Sequence, residues 1–108
     1  MKNLADQYTY RVILSQDDDE FVGLCAEFPS LSWLDKDRAK ALNGIVRVVG
    51  DVIRDMEKSG EPLPTPLTAK EYSGELRLRM PPALHKRLAI RAAEEKTSIN
   101  KLILRQLV

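Results

Sequence analysis

Glu75-Leu76-Arg77-Leu78-Arg79-Met80-Pro81-Pro82 is the stretch that decides how the chain folds. Leu76, Leu78 and Met80 alternate with Glu75, Arg77 and Arg79, the period of two that a β-strand imposes on its faces. The reading is one strand with an apolar face and a cationic face, stopped by Pro81-Pro82. Pro82 suits the first turn of a helix in which Leu84, Leu88 and Ala92 form a narrow apolar stripe up to about Lys96. Thr97-Ser98 breaks that helix and caps the next, whose stripe is Ile99, Leu102, Ile103 and Leu107.

Strand, helix, helix within residues 73–108 makes a unit under about 40 residues, too small to bury a sufficient core without disulfides, metal or oligomerisation. A lone strand also leaves its backbone groups without partners. Both problems vanish if two chains pair their strands into an antiparallel ribbon and intertwine four helices, so the segment is expected to be an obligate dimer. Its core would be Leu76, Leu78, Met80, Leu84, Leu88, Ile99, Leu102 and Ile103.

Upstream the pattern differs. Tyr8, Tyr10, Val12 and Leu14 share one face at period two, and Asp17-Asp18-Asp19-Glu20 then interrupts with a turn-like acidic run. Phe21 to Phe28 reads as a second strand ended by Pro29, and Leu31-Ser32-Trp33-Leu34 as a third. From Leu42 the period becomes helical: Leu42, Ile45, Val46, Val49, Val52, Ile53 and Met56 lie on one stripe. Asp35 or Asp37 can cap this helix and Ser59-Gly60 can stop it, which predicts a helix over about residues 36–59. Glu61-Pro62-Leu63-Pro64-Thr65-Pro66, with proline at every second position, reads as a semi-rigid linker. The fold class is α+β: a three-stranded sheet with one helix laid across it, then the dimerising segment.

The 108 residues carry 17 Lys and Arg against 16 Asp and Glu, which excludes a large multi-domain enzyme. The balance hides a split: residues 1–72 hold nine basic and thirteen acidic side chains, net −4, whereas residues 73–108 hold eight and three, net +5. Such asymmetry implies separate partners, one of them a candidate polyanion. One Cys and one His exclude an internal disulfide and a zinc site of the usual ligands, and no metal or cofactor is expected. The opening residues lack the apolar run of a signal peptide, and no stretch approaches the roughly 18 apolar residues of a membrane span, so a cytoplasmic protein without membrane contact is expected.

The segment from Ser73 resembles a ribbon-helix-helix DNA-binding module: an alternating strand ending in Met80-Pro81, a helix, a Lys96-Thr97-Ser98 turn and a helix opening with Ile99-Asn100. The resemblance implies that the paired strands enter the DNA major groove, with Glu75, Arg77 and Arg79 at base edges and Thr97, Ser98, Ile99 and Asn100 at a phosphate. The chemistry agrees, because Arg forks onto guanine O6 and N7, and a helix N-terminus offers free N–H groups to an anion.

Tyr10-Arg11-Val12, Phe21-Val22-Gly23-Leu24-Cys25-Ala26-Glu27-Phe28-Pro29, Leu31-Ser32-Trp33-Leu34, Ala41-Leu42 and Gly60-Glu61-Pro62-Leu63-Pro64 add a likeness to the HicB antitoxin family. It implies a truncated RNase H-like toxin-binding domain over residues 1–60, a linker over 61–72 and a ribbon-helix-helix domain over 73–108. It also implies a non-enzymatic antitoxin that neutralises a small mRNA-cleaving toxin of the HicA kind and represses its own operon. The expected partners are operator DNA, that toxin and further copies of the chain, a dimer through 73–108 and a tetramer through the N-terminal domains. Toxin-contacting residues are not assigned. The alternative is a stand-alone regulator whose N-terminal domain senses a ligand or only oligomerises.

Other residues have plainer readings. Asp17, Asp18, Asp19, Glu20 and Glu27 suggest a two-metal nuclease, but carboxylates in one turn do not converge from rigid elements, and a solvated or partner-facing loop is the better account. Cys25 reads as a small buried hydrophobe and His85 as a surface histidine. Trp33 is equally compatible with core and with a partner contact. Gly44 and Gly50 interrupt the long helix at about 1 kcal/mol each relative to Ala, which permits close packing on the sheet or on a partner.

Overall fold

The computed structural model describes residues 3–108. The chain divides into two compact units, Met1–Tyr72 and Ser73–Val108. In the first, β1 (Tyr10–Ser15), β2 (Glu20–Cys25) and β3 (Ser32–Asp35) form an antiparallel sheet in the order β1-β2-β3. Ile13 lies opposite Val22, and Val22 opposite Leu34. The acidic run supplies the β1–β2 turn, where Asp19 adopts the left-handed conformation (φ 53°) that Asp tolerates better than most residues. A 3-10 turn, Leu4–Gln7, precedes the sheet and carries buried Ala5; sequence periodicity gave no sign of it.

Helix α1 spans Arg38–Ser59. Asp37 is the cap, its carboxylate accepting the Lys40 amide at 3.1 Å, while Asp35 accepts the Asp37 amide at 2.9 Å. Gly60 (φ 70°) closes the other end: its N–H donates to Glu57 O and that of Glu61 to Met56 O, satisfying two of the last carbonyls. The buried row is Ala41, Ile45, Val49 and Ile53, joined by Gly44. Leu42, expected on the buried stripe, is 40% exposed. The contact follows the i, i+4 row of small and β-branched residues, because Gly23 of β2 lets the helix backbone descend onto the sheet there.

The two helix glycines separate cleanly. Gly44 lies against the Trp33 indole, where a Cβ would sit 2.1 Å from a ring carbon, whereas a Cβ at Gly50 would meet only the Arg54 guanidinium at 3.8 Å. Gly50→Ala is therefore expected to raise stability by about 0.5–1 kcal/mol, read as a higher urea midpoint at unchanged slope.

The proline segment is part of the first unit and packs within it. Leu63 packs on the core formed by Ala5, Tyr8, Cys25, Ile45, Val49 and Ile53. The Tyr8 hydroxyl donates to Pro64 O at 2.8 Å, and its ring meets Phe28 edge-on. Glu27 ties three segments together: its carboxylate accepts the Thr9 amide at 2.9 Å, the Thr9 hydroxyl at 3.1 Å and the Leu67 amide at 2.9 Å. Residues 61–72, expected as a linker, are thus held along part of their length by hydrogen bonds and an apolar anchor.

Burial opposes ionisation of Glu27, but the Leu67 and Thr9 amides outweigh it and hold the carboxyl below its ordinary value of 4.5. A carboxyl lowered on folding stabilises the fold above its unfolded pKa, and that contribution fades as pH falls through the folded one. Glu27→Gln is therefore expected to cost about 1–2 kcal/mol at pH 7 and progressively less below about pH 4.5, measured as urea midpoints across that range.

In the second unit, α2 (Pro82–Glu94) starts with Pro82 in its first turn and α3 (Ile99–Leu107) with Ser98 as cap, the Ser98 hydroxyl accepting the Lys101 amide at 3.0 Å. Between them Lys96 takes φ 54°, and the Thr97 amide reaches Ala92 O at 2.9 Å. The Glu95 carboxylate accepts from Arg91 at 2.7 Å and from Arg105 at 3.0 Å, joining the helices. Residues 75–81 form no strand in the single chain. This corrects the element assignment for one chain: with no neighbouring strand, the alternating backbone has nothing to pair with.

Candidate nucleic-acid and self-association surface

Arg77 and Arg79 stand exposed on the arm that precedes α2, as does Glu75, whose amide is taken by the Ser73 hydroxyl at 3.0 Å. The apolar residues of the arm are uncovered too: Leu76 is 84% and Leu78 54% exposed. Leu76, Leu78, Arg79 and Met80 line a groove with His85, Ile99, Asn100 and Ile103. In the single chain the arm does not part its charges from its leucines, because Arg79 borders the same groove as Leu76, Leu78 and Met80.

The eight expected dimer-core residues divide in one chain. Leu102 is 1% exposed and packed within the unit. Leu88, Met80, Ile99 and Ile103 are half-buried, while Leu76, Leu78 and Leu84 remain exposed. Ile90 and Leu104 are also exposed apolar residues, 49% and 57%, which the sequence reading did not single out. The signal for Leu104 was present in the unbroken run Leu102-Ile103-Leu104, because three consecutive apolar residues overfill one helical stripe.

Thr97, Ser98, Ile99 and Asn100 come together at the start of α3. First-turn amides of a helix lack intrahelical acceptors, and the N-terminal end of the helix dipole favours an anion. The Ser98 side chain satisfies the Lys101 amide and leaves the first two helical residues, Ile99 and Asn100, to other acceptors. His85 lines the groove beside the arm, so its surface has a neighbour that the sequence did not indicate.

Residues 58–107 match the model of the HicB family. The match covers the end of α1, the proline segment, the arm, α2 and α3, a little under half of the chain. HicB is an antitoxin family, and the match is consistent with an antitoxin role. No curated protein and no solved structure matches the chain. No helix among the described residues is long and apolar enough to cross a membrane.

Outside the HicB match, the acidic β1–β2 turn holds Asp18 through the Ser15 hydroxyl at 3.1 Å, and the described residues contain no cluster of three or more potential metal ligands. Cys25 is 2% exposed, and burial raises its thiol pKa, the reverse of what a nucleophile requires. Trp33 is half-buried between Gly44 and the Arg47 guanidinium, which lies 5.0 Å from the ring centroid.

Proposed function

We propose that the protein is an antitoxin of the HicB kind, in which the second unit dimerises through its arm and reads operator DNA. In this reading the first unit, an abbreviated RNase H-like sheet and helix, binds and silences an mRNA-cleaving toxin. The observation that carries the DNA half is the arm itself: exposed leucines alternate in sequence with exposed arginines at every second position, beside a groove that Leu76, Leu78 and Arg79 border. Pairing two arms satisfies both backbones, covers Leu76 and Leu78, and presents four arginines on a ribbon of the size the major groove admits. Glu75 is suited to cytosine N4, and the start of α3 to a phosphate.

Arg77→Ala is expected to cost about 1–3 kcal/mol on the DNA upstream of the chain's own reading frame and to relax preference at one base position. Titration against that DNA and against scrambled duplexes checks this; equal losses on all sequences refute base readout at Arg77. A second reading, a regulator without a toxin, draws on the family match leaving the sheet outside its span. Co-expression with the product of the adjacent reading frame decides between them: a partner toxic alone and silent in complex supports the antitoxin, and DNA binding without such a partner supports the regulator.

A further inference from the structure

Helix α1 covers one face of the sheet; among the described residues of the first unit no helix or strand packs on the other. Because Gly23 faces α1, strand alternation places Arg11, Ile13, Val22, Leu24, Ser32 and Leu34 on the opposite face. The register aligns Ile13, Val22 and Leu34 into one apolar row across all three strands, with Ile13 43% and Leu34 44% exposed. Ser15 and Glu20 form the adjoining pair on this face, and the turn beyond them is Asp17-Asp18-Asp19.

We propose that this row and its acidic turn form the docking surface for a cationic, RNA-binding protein partner, covering the surface with which that partner grips RNA. The inference rests on the antitoxin reading and names the surface that reading leaves open. A protein that holds RNA must present Lys and Arg to phosphates, and the same cations are drawn to four carboxylates at the end of the sheet. The apolar row supplies the desolvated centre that charge alone does not provide. The first unit of a second copy is the poorer occupant, because its residues 1–72 bring their own net −4 and their own acidic turn against the first. Nucleic acid is repelled by the same carboxylates.

The test uses the full chain co-purified with the product of the adjacent reading frame. Absence of a wild-type complex overturns the antitoxin reading and this surface together. Given a complex, Ile13→Asp with Leu34→Asp is expected to weaken it at least 100-fold, while Arg54→Glu on α1 leaves it unchanged. Asp17→Asn, Asp18→Asn and Asp19→Asn together are expected to slow association about tenfold and flatten its salt dependence, with dissociation little altered. Ile13→Ser with Leu34→Ser, milder for folding, must weaken the complex at an unchanged urea midpoint. Unaltered affinity in both row variants overturns the surface while leaving the antitoxin reading intact. A fall in the free chain's mass with unaltered partner affinity reassigns the face to self-association.

Discussion

Gly23→Ala is expected to destabilise the first unit by about 3 kcal/mol or more, because overpacking costs most where the obstacle cannot rotate away. A Cβ at this position would lie 2.5 Å from the Ala41 backbone oxygen and 2.8 Å from Ile45 Cγ2. Ala41 and Ile45 are both fully buried, so relief requires α1 to lift from the sheet along the row that carries Val49 and Ile53. The measurement is the urea midpoint of the first transition, with Gly50→Ala as the contrasting substitution on an open face. A loss under about 0.5 kcal/mol for Gly23→Ala would mean that the helix rides higher than the structure places it.

Leu78→Asp has the second large expected effect, on assembly. Leu78 is half exposed in one chain and borders the groove beside Ile99 and Ile103, where arm pairing would cover it. An unpaired carboxylate there cannot be desolvated, so the arms should separate and the second unit lose its fold along with the partner's helices. Light scattering should show lower mass, and operator affinity should fall about 10³-fold toward the non-specific level. Leu78→Met, which keeps volume and polarity, should preserve both. Unchanged mass for Leu78→Asp would remove the arm from the dimer interface.

How much the sequence revealed follows from the range of the interactions involved. Helix α1 was legible to within two residues because its caps, Asp37 and Gly60, are local chemistry written beside it. The small α+β sheet with α1 upon it was legible for the same reason, as alternation and helical period are properties of short windows. Leu42 was misplaced because apolar period alone does not reveal which of two adjacent rows meets a glycine on another strand. The Glu27 contacts were illegible: the carboxylate reaches back to Thr9 and forward to Leu67, and no motif spans such separations. The arm was readable as an alternating segment, yet a single chain offers it no neighbouring strand, and residues 75–81 form none.

The hydrogen bond from Tyr8 to Pro64 spans 56 residues, and that from Leu67 to Glu27 spans 40. These contacts set a schedule during synthesis. A ribosome adding roughly 5–20 residues per second needs about 3–11 s to travel from Tyr8 to Pro64, so the Tyr8 hydroxyl waits that long for its acceptor. The sheet and α1 can collapse early, but Tyr8, Glu27 and the core beneath Leu63 stay incompletely covered until the proline segment arrives. Residues 61–67 therefore act as the closing step of the first unit's folding, and a chain cut at Gly60 would emerge without it.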